Sequence, residues 1–173
     1  MRLASAEVIP YALPFKSPYV TARGLLEQRE MALLRLRSEE GSIGLGEAVP
    51  LSLRGGAALA QVVAELEELA RHDELDEEVL RSGAMALSAP ARCAALTALM
   101  DLRGRRAAGG AALVEGTSEP VRCNATLVAG EPAAVAADAE RWASEGFSTF
   151  KLKLGVGDDV GRVRAVREAL GKG

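Results

Sequence analysis

Two lysines stand one residue apart in the stretch STFKLKLG, residues 148–155, which otherwise has the character of a β-strand. Side chains at positions i and i+2 of a strand point to the same side, about 6.6 Å apart. Two ammonium groups this close disfavour each other's charge, and a lysine that is neutral at about pH 7–8 is a usable general base, while a charged neighbour can stabilise an oxyanion. Lys151 and Lys153 are therefore candidates for proton-transfer chemistry, although an exposed edge strand with two solvated lysines would show the same spacing.

The position of these lysines suits a (β/α)8 barrel better than an open sheet. In an open doubly wound sheet, helices cover both faces, and two lysines on one strand would be buried. In a barrel, one face of each strand points into the lumen, which opens into the active site at the carboxyl ends of the strands. Gly155 and Gly157 follow the lysines at once, so the lysines are predicted to lie near that end.

The chain around the lysines alternates between strand and helix patterns. Strands are predicted over residues 121–128 and 147–154. Pro132 opens a helix between them, and Asp158 or Asp159 caps a last helix. The order β-α-β-α is typical of a parallel sheet. The side chains of the last helix that are expected to face inward are apolar: Val160, Val163, Val166 and Leu170.

The start of the chain has the pattern of an antiparallel sheet. Alternating apolar residues predict strands over residues 3–15, 29–38 and 43–48. The segment 16–28 has the character of a loop, because it contains Ser, Pro, Arg and Gly between the first two strands. The prolines of the first strand confine it to an edge or an end of the sheet.

Helices follow these strands. Apolar residues at helical spacing predict a helix over residues 59–69, and a shorter helix is predicted near 76–81. An alanine-rich helix over 90–103, with Gly104 after its end, is apolar nearly all round and is predicted to be buried. An α+β unit, about residues 1–118, therefore precedes the β-α-β-α segment.

Composition excludes several classes of protein. The 173 residues are 49% hydrophobic and carry a net charge of −3 without a basic block, which argues against disorder and against nucleic-acid binding. No apolar run approaches the roughly 20 residues of a membrane span, and no signal-peptide core is visible. Cys93 and Cys123 are interpreted as reduced cysteines packed in a core, which predicts a cytoplasmic protein. His72 is predicted to be a solvated surface residue.

Three stretches together resemble a known family. GLGEA (44–48), AALTALMDLRGR (94–105) and STFKLKLG (148–155) resemble, in order, motifs of the enolase superfamily, specifically its muconate-lactonizing-enzyme-like subgroup. The resemblance implies a capping domain with a three-stranded antiparallel sheet plus helices over residues 1–118. The first β-α-β-α of a truncated TIM-type barrel then follows over 119–173.

The resemblance also implies residue roles. Lys153 matches the base that abstracts the proton α to a carboxylate, and Lys151 matches its helper near the carboxylate of a small substrate. The segments 16–28 and 50–56 match the two capping-domain loops that close over the site. Candidate substrate contacts on these loops are Tyr19, Arg23 and Arg54.

Mg²⁺ is expected in the complete enzyme by the same resemblance. Relatives continue into a third barrel strand with an Asp-x-Asn stretch that supplies the first metal ligand. This chain ends at residue 173, before such a stretch, so we expect no metal bound to it and no turnover by the chain alone. We also expect a homo-oligomer, joined through the open strand edges of 119–173, or else partial disorder of that segment.

Several functions remain open from the sequence. The stretch RCNATLVAGEP (122–132) and the capping domain most resemble an o-succinylbenzoate synthase, a dehydratase; a dipeptide epimerase or a muconate cycloisomerase is the alternative. An alternative of another class is a non-catalytic, truncated capping or interaction module. A nucleotide-binding loop at LGVGDDVG is disfavoured, because Asp158 and Asp159 would repel a phosphate at the helix N-terminus.

Overall fold

Six stretches of the chain are described in the computed structural model: residues 1–21, 24–51, 55–72, 74–108, 120–155 and 157–171. The chain divides into two units, Met1–Lys16 with Gln28–Gly116, and Ser17–Glu27 with Thr117–Gly173. The predicted boundary between residues 118 and 119 lies outside the described residues, and it stays a prediction.

The sheet of the first unit contains three strands in the order β1-β2-β3, with β1 at Leu3–Thr21, β2 at Gly24–Ser38 and β3 at Ile43–Ala48. β2 and β3 are antiparallel, with Ala32 opposite Ala48 and Arg37 opposite Ile43. Along β2, buried residues alternate with exposed arginines, as the sequence predicted.

The predicted loop over 16–28 is wrong, because β1 runs on to Thr21 and β2 begins at Gly24. Tyr19, Val20 and Thr21 are residue types that favour strands. The prolines of β1 are compatible with this length because β1 is an edge strand. These prolines stand four positions apart, at Pro10, Pro14 and Pro18. Their missing N–H groups therefore all fall on one side of the strand.

Three helices complete the first unit: α1 at Leu59–Ala70, α2 at Glu77–Ala84 and α3 at Ala89–Ala108. Their apolar side chains form one core with β2 and β3, centred on residues that are fully buried: Leu34, Leu36, Val62, Leu66, Leu80, Ala94, Ala98 and Leu102. The predicted buried helix over 90–103 is confirmed. Its predicted end is wrong, since α3 continues through Gly104, which is buried, where the smallest residue suits close packing.

The two glycines of GLGEA allow α3 to pack directly on β3. A Cβ added at Gly44 would lie 2.7 Å from the Leu102 backbone nitrogen, and one added at Gly46 would lie 2.6 Å from that of Ala98. Asp101 of α3 also accepts a hydrogen bond from the Leu45 backbone N–H, at 2.9 Å. The carboxylate thereby satisfies a donor on the open edge of β3.

The second unit has the predicted order β-α-β-α: β4 at Ala125–Leu127, α4 at Pro132–Ser144, β5 at Phe150–Leu152 and α5 at Asp159–Ala169. β4 and β5 are parallel, with Ala125 opposite Phe150 and Leu127 opposite Leu152. Both strands are shorter than predicted. The helices pack through a small core that contains Leu127, Val135, Ala139 and Val166.

One predicted inward face is partly wrong. Val166 is buried, but Val160 is 70% exposed, and Arg162 takes the inward position with 3% exposure. Arg162 and Val166 are four residues apart and therefore share one face of α5. The Arg162 guanidinium is tolerated there because it pairs with Asp159 and donates a 3.4 Å hydrogen bond to the Gly130 carbonyl.

The interpretation of the cysteines is correct in one part and wrong in the other: Cys93 and Cys123 are free, as reduced cysteines are, but both are exposed and not packed in a core. Cys93 lies on the outer face of α3, and Cys123 lies in the irregular stretch before β4. Near Cys93, the buried positions of α3 are taken by Ala91, Ala94 and Ala95, whereas near Cys123 the apolar Val121 is itself 84% exposed. His72 is exposed, as predicted. Within the described residues, no helix combines the length and the apolar character that crossing a membrane requires.

Candidate functional site

The β4–β5 pair has two unlike faces. Ala125 and Leu127 are buried on the face that α4 and α5 cover. Thr126 stands opposite Lys151 on the other face, where both side chains are exposed. Since side chains alternate along a strand, Lys153 shares this second face with Lys151. Both lysines therefore stand on the face away from the helices.

Lys153 lies at the carboxyl end of β5. Its backbone N–H donates to the Leu127 carbonyl at 3.1 Å, one position beyond the strand, and the chain then turns away through Gly155 and Gly157. Both glycines have positive φ angles, 105° and 72°, a conformation that other residues rarely adopt. The loop thus leaves the lysines at the end of the sheet where barrel enzymes place their active sites.

Two carboxylates hold this loop against the start of α5. Asp158 accepts from the Gly161 N–H at 2.8 Å, and Asp159 accepts from the Gly155 N–H at 2.9 Å. These backbone donors would be the ones to hold a phosphate in a nucleotide-binding loop. Because carboxylates of the chain already accept from these N–H groups, the structure further disfavours a nucleotide-binding loop here.

Tyr19 reaches the same site from another part of the sequence. The Lys153 ammonium lies 5.8 Å from the centroid of the Tyr19 ring, over its face, which is a cation–π contact. Tyr19 is in the segment Ser17–Glu27, which belongs to the same unit as β5. The structure therefore brings together Lys151, Lys153 and Tyr19 of the predicted site. Arg23 and Arg54 lie outside the described residues.

The described part of the chain does not fit a metal centre. Within it, no group of three or more His, Cys, Asp or Glu side chains comes together in a way that could hold a metal ion. The side chains known to share the face of Lys153 or to contact it, Lys151, Thr126 and Tyr19, are not usual Mg²⁺ ligands.

Sequence reasoning missed the part of the site that β4 contributes. Thr126 is opposite Lys151, and Val128, 47% exposed, follows on the same face. The alternation in NATLV was readable, but the register between two parallel strands was not.

A second signal was overlooked: the chain has 17 arginines and only four lysines, and two of the four are Lys151 and Lys153. Arginine cannot act as a base near neutral pH, whereas lysine can.

Comparison with known proteins identifies the family. Residues 4–115 match the family "Mandelate racemase / muconate lactonizing enzyme, N-terminal domain". The match covers more than half of the chain, so the chain belongs to this family of the enolase superfamily.

The relatives include epimerases of dipeptides. The chain is 30% identical over 183 residues to the hydrophobic dipeptide epimerase of Enterococcus faecalis, covering 99% of this chain and 51% of that protein. It is 26% identical over 186 residues to the L-Ala-D/L-Glu epimerase of Bacillus subtilis, covering 99% and 50%. The chain spans about half the length of the curated relatives it matches.

A solved structure supports the same relationship. The dipeptide epimerase from Enterococcus faecalis, complexed with Mg and the dipeptide L-Leu-L-Tyr, is 28% identical to this chain and superposes with a TM-score of 0.84. The superposition covers 99% of this chain and 51% of that structure. The expectation that Mg²⁺ accompanies this fold holds for that relative.

Proposed function

We propose that this chain carries the capping domain and the base-bearing strand of an enolase-superfamily enzyme that epimerises a dipeptide. The observation that carries the proposal is the placement of Lys153. It lies at the carboxyl end of β5, on the face away from α4 and α5, beside Lys151 and under the Tyr19 ring. The names of the relatives support the substrate class.

The proposed chemistry begins with a proton transfer to Lys153. As a neutral amine, Lys153 takes the proton from the carbon next to the substrate carboxylate, and the electron pair of the C–H bond moves into the carboxylate as an enolate forms. Lys151, charged and on the same face, attracts the substrate carboxylate and stabilises the added negative charge. Inversion then requires an acid on the opposite side of the carbon, supplied by the rest of the complete enzyme, to give a proton to the enolate, while Lys153 keeps the proton that it took and loses it to solvent afterwards.

The site also explains why Lys153 is a lysine. A base must lose and regain a proton near neutral pH, which arginine cannot do. Lys153 is half-buried and Lys151 is exposed. The more enclosed lysine is the one that the Tyr19 ring covers, and the solvated one is open to an anionic group of a substrate.

Other reactions share this first step. An o-succinylbenzoate synthase would form the same kind of enolate and then lose water. A muconate cycloisomerase would form or protonate a related enolate. We favour the epimerase because the relatives described above carry that name. For the chain by itself, a module without catalytic turnover stays the alternative of another class, since the proposed enolate chemistry relies on a metal in the complete enzyme.

Exchange of the α-proton in D2O tests the proposal directly. L-Leu-L-Tyr and L-Ala-L-Glu are incubated with Mg²⁺ and either the 173-residue chain or a full-length protein that contains this segment. We expect no exchange with the chain alone. With the full-length protein, we expect exchange that falls at least about a thousandfold in Lys153→Ala and is unchanged in Lys16→Ala, a lysine of the first unit.

Two results would contradict the proposal. Exchange that survives in Lys153→Ala would mean that another group is the base. Dehydration of a cyclohexadiene substrate without dipeptide exchange would establish the o-succinylbenzoate synthase instead.

A further inference from the structure

Tyr19 covers one of the two lysines and not the other. The ring lies over the Lys153 ammonium, and Lys153 is half-buried whereas Lys151, two residues earlier on the same face, is exposed. The contact comes from the β1–β2 tip, defined as residues 17–21 and 24–27, which belongs to the unit of β4 and β5. The tip is therefore placed over the lysine that the proposed function requires as a base.

The attraction between an aromatic face and a lysine depends on charge. The quadrupole of the ring attracts an ammonium group, and a neutral amine has no comparable interaction with it. A lysine that acts as a base alternates between these two forms. The contact with Tyr19 is therefore strongest after Lys153 has taken a proton, and weakest before.

We propose that Tyr19 is a positioning residue that couples the β1–β2 tip to the charge on Lys153. Proton abstraction charges the lysine, and the tip is then held over the site while the reactive carbanionic species exists. Loss of this proton to solvent, after the product has formed, makes the lysine neutral and frees the tip. The catalytic use of this coupling rests on the proposed function, whereas the coupling itself belongs to the chain and is measurable without substrate.

Hydrogen exchange in the 173-residue chain tests the coupling through paired variants. Lys153→Met removes the charge at similar size, and Lys153→Arg keeps it; Tyr19→Leu removes the ring, and Tyr19→Phe keeps it. We expect Lys153→Met and Tyr19→Leu to speed amide exchange in the tip by about two- to fivefold, and the conservative partners to match the parent chain. Lys16→Met is the control for loss of a lysine charge elsewhere, and exchange in α3 reports whether each variant is folded.

A spectroscopic signature gives an independent readout. With selectively ¹³C-labelled lysine, the four lysines give four sets of ε-CH2 signals. The Lys153 signal is expected to be shifted upfield by the Tyr19 ring, to stay so in Tyr19→Phe, and to return to the position of Lys16 in Tyr19→Leu.

Two outcomes would overturn the proposal. In one, tip exchange in Lys153→Met equals that of the parent, which removes the dependence on charge. In the other, Tyr19→Phe behaves like Tyr19→Leu, which assigns the effect to the hydroxyl and not to the ring. Neither measurement involves turnover. Failure of the coupling therefore leaves the assignment of Lys153 as the base untouched, and failure of that assignment leaves the coupling untouched.

Discussion

The two units of this chain are built in opposite ways. The first encloses a continuous core of small and branched apolar residues in which α3 packs backbone to backbone on β3. The second has a two-stranded sheet and a small core. An open groove of about 680 Å³ runs along α5 between Leu154, Val160 and Val163.

The difference separates stability from chemistry. Residues with the strongest packing constraints lie in the first unit, where even a methyl group has no room at Gly44 or Gly46. The residues with candidate chemical roles, Lys151, Lys153 and Tyr19, lie in the second, on a face that a small molecule can reach. Functional groups are commonly drawn from the less stable part of a protein, because binding and release require local motion.

The largest expected effect comes from filling the contact between β3 and α3. Gly46→Ala would place a methyl group 2.6 Å from the Ala98 nitrogen and nearer still to the Ala94 carbonyl. Neither backbone atom can move without displacing the helix, so we expect a loss of about 3 kcal/mol or more in the free energy of unfolding. Urea denaturation, followed by far-UV circular dichroism, measures this loss.

Gly83→Ala is the matched control for that variant. Its added methyl group meets only the end of the Leu69 side chain, which can rotate, and alanine favours the interior of α2. We expect its stability to equal or slightly exceed that of the parent. Equal losses in both variants would show that the packing of α3 on β3 is not the main constraint.

A smaller effect separates the two units directly. We expect amides in α3 to exchange at least about tenfold more slowly than amides in α4 and α5, since the second unit opens with less apolar burial to lose. Native-state hydrogen exchange, read by NMR or mass spectrometry, gives both values in one sample. Uniform protection through residue 170 would mean that the second unit is stabilised by interactions outside its small core.

Patterns local in sequence predicted much of this fold. The alternation of Leu34 and Leu36 with Arg35 and Arg37 defines β2, and Asp158 caps α5 as its position suggested. Errors arose where a local signal had a second meaning. Pro18 suggested a loop but lies in an edge strand, and Gly104 suggested a helix end but lies inside α3.

Only the part of the candidate site that is local in sequence was predicted. The spacing of Lys151 and Lys153 shows their shared face. The contact between Tyr19 and Lys153 joins residues 134 positions apart, and no pattern in the sequence specifies its geometry. The inward position of Arg162 was equally hidden, since it depends on a carbonyl of Gly130 that only the folded chain supplies.

The smallest predicted effect concerns the pH dependence of the first unit. Glu65 of α1 accepts hydrogen bonds from the Ser88 N–H, at 2.9 Å, and from the Ser88 hydroxyl, at 2.5 Å, where α3 begins. Partial burial raises the pKa of the Glu65 carboxyl, but the hydrogen bonds from Ser88 and Gln61 outweigh it, so that the pKa lies below its usual value. A carboxyl whose pKa is lower in the folded state stabilises the protein above the unfolded pKa, and this contribution is lost as the pH falls through the folded pKa.

We therefore expect Glu65→Gln to cost about 1 kcal/mol of the free energy of unfolding at pH 7 and progressively less below about pH 4. Glu68→Gln, an exposed residue of the same helix that pairs with Arg71, should change stability by only a few tenths of a kcal/mol at either pH. Urea denaturation of the three proteins at several pH values measures the difference, and a cost of Glu65→Gln that stays constant down to pH 3 would show that the charge of Glu65 does not hold α1 against the start of α3.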